Sequence, residues 1–157
     1  MIYFIEMEVT ISSENDMKRL GSRLGALLKG GECIELIGDV GAGKTTLTKG
    51  IASGMGITET IQSPTFTISR TYDAPSGVRL NHYDFYRLSD PGIMAEELDE
   101  SLGQTDMAIV IEWGDIVASI LPEDHLRITI TSPTELTRIL TIVAQGKRSE
   151  RIIRELS

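Results

Sequence analysis

The segment Gly38-Asp39-Val40-Gly41-Ala42-Gly43-Lys44-Thr45 constrains this chain more than any other feature in it. It fits G-x-x-x-x-G-K-[ST] without a departure, and Thr46 follows. At average residue usage, such a pattern arises by chance in roughly 0.5% of chains of this length. Its context strengthens it. The short apolar run Cys33 to Ile37 reads as a strand entering the loop, and a helix is expected from Lys44 to about Met55. A strand, a glycine loop and a helix N-terminus in this order cradle phosphate. The glycines let successive backbone N–H groups wrap a β-phosphate, and the positive end of the helix dipole adds to them. Lys44 then reaches the β- and γ-phosphates, and the Thr45 hydroxyl ligates magnesium.

Guanine-specific members of this class read their base with an N-K-x-D-type motif. Asn15 and Asn81 are the only asparagines, and neither precedes a lysine, so ATP is the expected nucleotide. A phosphate loop also wants an acidic residue at the end of a neighbouring buried strand, to hold magnesium or its waters. Ala108-Ile109-Val110-Ile111-Glu112 supplies four apolar residues and then Glu112, a glutamate where aspartate is more usual. Glu112 either ligates the metal directly or polarises the attacking water. Asp84, which ends Leu80-Asn81-His82-Tyr83-Asp84, competes for the second role, against a plain surface pair with Arg87. Trp113 reads by residue type as a packing tryptophan. His82 and His125 have no second His or Cys at ligand spacing and read as structural, and Met55, Met94 and Met107 read as core filler.

The rest of the chain alternates helix and strand early and pairs strands late. Ile5, Met7, Val9 and Ile11 alternate with Glu6, Glu8 and Thr10, which predicts a half-buried strand. Ser12 to Asp16 supplies a cap, and Met17, Leu20, Leu24, Leu27 and Leu28 then recur at helical spacing until Gly30-Gly31. Phe66 to Tyr72 and Val78 to Asp84 predict a hairpin turning at Ala74-Pro75-Ser76-Gly77. Ile93 to Leu98 predicts a short helix, and His125 to Thr131 with Arg138 to Val143 another strand pair. In the last segment Glu150 stands four before Arg154 and Arg151 four before Glu155, which reads as a solvated helix. These elements predict an α/β three-layer domain of the P-loop NTPase type with a mixed, mainly parallel central sheet, spanning residues 1–157 as one unit.

Composition excludes several classes. Lys plus Arg number 15 against 23 Asp plus Glu, a net charge of −8, so the basic face that grips nucleic acid by counterion release is not expected. Cys33 is the single cysteine, so neither an internal disulfide nor a cysteine-based zinc site can form. The longest apolar run, Met107 to Ile111, is far short of the ~20 residues that span a bilayer. Glu6 and Glu8 sit where a signal peptide would be basic and then apolar. A soluble, cytoplasmic chain is expected.

Four segments in order, GDVGAGKTT (38–46), SPTFT (63–67), HYDFYRL (82–88) and IEW (111–113), resemble the TsaE family of small bacterial ATPases in tRNA threonylcarbamoyladenosine synthesis. The phosphate loop alone is widely shared; the four together in so short a chain are specific, and the resemblance covers about residues 5–145. It implies that Gly38, Asp39, Val40, Gly41, Ala42, Gly43, Lys44, Thr45 and Thr46 bind ATP, with Thr45 and Glu112 as magnesium ligands. It implies that Thr65 lies in a switch segment sensing the γ-phosphate, that Asp84 and Trp113 are needed for activity, and that Glu14 lies near the adenine. It further implies TsaD and TsaB as partners, tRNA contacts made only through them, and slow turnover alone as a monomer or weak oligomer. Arg70, Arg79 and Arg87 are available charge stabilisers. Two other classes compete. A small-molecule kinase would need an arginine-bearing lid, but Ser89 to Gly103 is acidic and has no arginine. A non-hydrolysing adaptor would have no need of both magnesium and water-positioning groups.

Overall fold

The computed structural model describes residues 4–157; the first three residues of the expected 1–157 unit lie outside it. Seven strands form one sheet: β1 (Ile5–Ile11), β2 (Cys33–Ile37), β3 (Ser69–Asp73), β4 (Arg79–Asp84), β5 (Met107–Glu112), β6 (His125–Thr131) and β7 (Arg138–Gln145), in the order β1-β7-β6-β2-β5-β4-β3. The central four, β6, β2, β5 and β4, run parallel, while β3, β7 and β1 are antiparallel to their neighbours. The sheet is therefore mixed with a parallel core, as expected. Helices α1 (Glu14–Ala26), α2 (Lys44–Gly54), α3 (Ile93–Leu102) and α4 (Lys147–Leu156) complete the fold, with a 3-10 segment over Gly114–Ile120.

Central parallel strands are covered on both faces, so they read as unbroken apolar runs. In β5, Ala108 and Val110 pack with α1 and α2 residues such as Leu24, Leu47 and Ile51, while Ile109 and Ile111 face Tyr83, Phe85, Leu98 and Val117. β1 sits at the sheet edge and keeps its alternation. Helix α1 starts where the Ser13 hydroxyl accepts the Asp16 N–H at 3.1 Å. It packs on α2 through glycines on both helices, Gly21 and Gly25 against Gly50 and Gly54, where backbones approach too closely for a side chain.

Three elements differ from expectation. The strand expected from Phe66 begins only at Ser69, because Ile68 adopts φ 70 and its N–H turns back to the Pro64 carbonyl. Phe66 is left 82% exposed on the resulting loop. Helix α3 continues past Leu98 through an acidic stretch to Leu102. Helix α4 makes both anticipated pairs, Arg151 with Glu155 at 3.0 Å and Arg154 with Glu150 at 3.7 Å, yet it is not wholly solvated. Ile152, Ile153 and Leu156 are buried, and Arg151 crosses to Glu32 at 3.4 Å and to the Leu27 carbonyl. Charge spacing identified the solvent side of that helix and hid its apolar stripe. Met55, Met94 and Met107 pack at the margins of the core.

Candidate nucleotide-phosphate site

The loop between β2 and α2 owes its path to two glycines. Gly41 and Gly43 adopt φ 82 and φ 112, a region that side-chain-bearing residues rarely enter. Gly43 caps α2 with no side-chain hydrogen bond, so the first-turn N–H groups keep no partner within the helix. A helix start left open in this way suits an anion. Lys44 begins α2 and is buried at 6% exposure; its ammonium donates to the Gly38 carbonyl and lies 4.2 Å from the centroid of the Trp113 ring. Burial pulls the Lys44 pKa down, against the opposing pull of the Glu112, Asp84 and Asp39 carboxylates.

Those carboxylates arrive on adjacent strands. Asp84 ends β4 and Glu112 ends β5, and the two are paired in the parallel register. Leu36 of β2 pairs with Glu112 on the other side, so the acid stands beside the strand that feeds the loop. Asp84 is buried at 4% exposure and makes no surface pair with Arg87. Its Oδ2 accepts from the Thr65 hydroxyl at 2.9 Å and its Oδ1 from the Tyr86 N–H at 2.9 Å. Arg87 instead stacks over Phe66, 4.4 Å from its ring centroid. Arg79 pairs with Asp106 at 3.1 Å at the far end of β4, about 16 Å of strand from Asp84. Neither arginine joins the carboxylates.

A cleft of about 350 Å³ brings together Val40, Gly41, Gly43, Lys44, Thr45, Thr46, Thr65, Asp84, Glu112 and Trp113. A second hollow of about 270 Å³ adjoins it across the glycine loop, lined by Glu14, Ser13, Met17, Gly41, Ala42 and Leu136 among others. Gly38 and Asp39 stand at the loop's entrance, where the Asp39 carbonyl accepts the Ala42 N–H at 3.0 Å. Every residue expected at the site therefore lies on the loop or in one of these two hollows. Ser63 and Tyr86 also line the cleft and were not anticipated.

Two non-glycine residues adopt positive φ among the described residues, Ile68 (φ 70) and Trp113 (φ 56). Such backbone costs about 1–3 kcal/mol each and collects at functional sites. Trp113 lines the cleft, and Ile68 is tied to it through Asp84. Trp113 follows Glu112, and its turned backbone sets the indole against Lys44 and against the Tyr86 ring at 4.8 Å. The Ile68 carbonyl accepts the Asp84 N–H at 2.8 Å, which ties the segment 63–68 to the acid.

The donor set suits a magnesium-bound nucleotide. Among the described residues no group of three or more His, Cys, Asp or Glu side chains forms a cation cage. The Thr45 hydroxyl, among other hydroxyls, and the carboxylates Glu112 and Asp84 line the cleft, an oxygen set that leaves phosphates and water to complete the shell.

His82 reads from the sequence as structural, yet it touches this machinery: its Nε2 lies 2.6 Å from Glu112 Oε2. It stands two residues before Asp84 on β4, hence on the same face, and that spacing was the available signal. His125 is remote. Its Nδ1 donates to the Pro122 carbonyl at 2.7 Å and its Nε2 lies 3.6 Å from Glu35, a pairing that raises the His125 pKa against its burial.

Residues 11–140 match the family model described as threonylcarbamoyl adenosine biosynthesis protein TsaE. The chain is 39% identical over 137 residues to the tRNA threonylcarbamoyladenosine biosynthesis protein TsaE of Streptomyces coelicolor, covering 84% of this chain and 93% of the relative. The corresponding protein of Bacillus subtilis is 39% identical over 151 residues, 94% of this chain and 91% of the relative. That of Haemophilus influenzae is 34% identical, covering 94% and 95%. A crystal structure of Bacillus subtilis YdiB superposes with a TM-score of 0.82 at 33% identity, over 98% of this chain and 95% of that one. The chain belongs to the TsaE family.

Proposed function

We propose that this chain is a single-domain, magnesium-dependent ATPase of the cytoplasm that serves tRNA threonylcarbamoyladenosine biosynthesis by acting on a TsaD–TsaB complex. Its family ties it to that pathway. The observation that carries the reading is the convergence of Lys44, the uncapped start of α2 and two buried carboxylates in one cleft. In this reading Lys44 and the loop from Gly38 to Thr46 bind the phosphates, and the hollow at Glu14 takes the adenine. Thr45 and Glu112 hold magnesium, which when bound neutralises the charge that develops on the phosphoryl oxygens. Asp84 or Glu112 orients the attacking water. Thr65 reports the γ-phosphate through the hydroxyl it shares with Asp84. Turnover is slow alone and a partner completes the site, as the family resemblance implies; Arg79 and Arg87 are engaged elsewhere.

Phosphate release from Mg-ATP, with and without TsaB and TsaD from the same organism, tests the reading. Slow release that rises with the pair supports it. Release indifferent to the pair removes the partner-completed site. No release in either condition leaves a nucleotide-dependent adaptor, and phosphate appearing on a metabolite would make the chain a kinase.

A further inference from the structure

Glu112 is gripped from one side. His82 is fully buried on β4, and its Nε2 stands 2.6 Å from Glu112 Oε2, itself on a residue 3% exposed. A carboxylate only accepts, so the bonding proton sits on Nε2 and the imidazole donates. The other ring nitrogen, Nδ1, is buried with no partner among the described residues. Directly opposite His82 in the β3–β4 register is Arg70, whose Nε–H is also buried without a partner. Side chains of directly opposed residues share a face.

As filler, this residue is a poor choice. Leaving a buried ring nitrogen unsatisfied forfeits its hydration with nothing in return. Leu80, two residues earlier on the same face, shows that the strand accepts an aliphatic side chain there at 0% exposure. The polar ring gains only from the carboxylate it meets.

We propose that His82 is the positioning residue for Glu112: it donates Nε2–H to Oε2, fixes the rotation of the carboxylate, and leaves Oε1 as the oxygen available to a divalent cation. The inference rests on Glu112 being the cation's carboxylate. Partners of this kind to a metal-binding carboxylate are worth 10- to 100-fold in metal affinity.

The test uses the full chain and its single tryptophan, Trp113, which lines the cleft and serves as the fluorescence probe for added ADP. Free magnesium is titrated at fixed ADP, and ADP affinity is measured separately in EDTA. His82→Asn carries its amide too short to reach Glu112, while His82→Gln places an N–H where Nε2 stands. The Asn variant should raise the half-maximal magnesium concentration by about 10- to 100-fold with unchanged affinity in EDTA. The Gln variant should recover most of the loss. Unchanged magnesium dependence in a folded Asn variant overturns the proposal, and so do equal shifts in both variants, which would make volume the cause. His82→Leu, which fills the space without a donor, serves where the Asn variant does not fold. No magnesium dependence in the unsubstituted chain would instead refute the reading of Glu112, taking the proposal with it.

Discussion

Gly21→Ala sets two physical effects against each other, and the structure decides the sign. In a helix interior, alanine is favoured over glycine by about 1 kcal/mol. Against that, a Cβ on Gly21 would lie 2.5 Å from the Leu47 carbonyl oxygen, 2.8 Å from Gly50 Cα and 2.9 Å from the Ile51 N. All three are backbone of α2, so no rotamer can relieve the clash. An ordinary C···O approach is about 3.3 Å, so α1 and α2 must part by about 0.8 Å. A gap of that size forfeits a quarter to a half of the dispersion well for the side chains along the seam. Overpacking of this kind costs about 2–3 kcal/mol, which leaves a net loss near 1–2 kcal/mol. For a chain of this length that lowers Tm by roughly 2–8 °C. Thermal unfolding followed by far-UV circular dichroism reads the change. Asn15→Ala, exposed on the same helix, is the control and should leave Tm unchanged or raise it. A Tm for Gly21→Ala at or above that of the unsubstituted chain would refute the reasoning, because propensity alone would then have won.

Glu112→Ala should lower phosphate release far more than it weakens nucleotide binding in EDTA, and release at the unsubstituted rate would remove Glu112 from the metal site. Thr65→Val deletes the donor to Asp84 Oδ2 and should slow phosphate release by about 10- to 100-fold, the equivalent of one hydrogen bond to a charged group, with little change in ADP affinity. Equal release in steady-state kinetics would show that this bond is idle. Away from the cleft, the His125 pairing holds the Glu35 carboxyl below its ordinary 4.5, helped by Arg127 and opposed by burial, while Glu35 raises His125 above 6.5. The lowered acid contributes stability above about pH 4.5 that is lost as pH falls through its folded value. The raised base contributes stability below about pH 6.5 that is lost as pH rises through its own. Tm scanned across pH should therefore be highest between these limits, and His125→Gln should flatten the alkaline limb; an unchanged limb would locate the titration elsewhere.

Much of this site was legible because its signals are local. The glycine loop depends on backbone angles that glycine supplies and on one lysine at a fixed offset, so eight consecutive residues mark it as the candidate phosphate site. β5 announced itself as a strand covered on both faces by having no alternation, and its terminal Glu112 followed from that. The mixed sheet followed from alternating elements early and paired strands late. What stayed hidden depends on register or on the opposite helix. His82 meets Glu112 only because β4 and β5 lie side by side in parallel, thirty residues apart in the chain. The glycines of α1 look like weak helix positions until α2 lies against them. Phe66 reads as strand by composition, but the turned backbone at Ile68 removes it from the sheet. The apolar stripe of α4 was masked by flanking charges that do pair as spaced.

On the proposed function, the loop from Gly38 to Thr46 binds a nucleotide through its phosphates. Calorimetric titration of Mg-ATP into the purified chain tests it most directly, with Lys44→Ala and GTP as comparisons. One saturable site for ATP, weaker binding of GTP, and loss of binding on Lys44→Ala are expected, because the β- and γ-phosphate charges lose their fixed countercharge. No heat of binding, or ATP binding unaffected by Lys44→Ala, would contradict it.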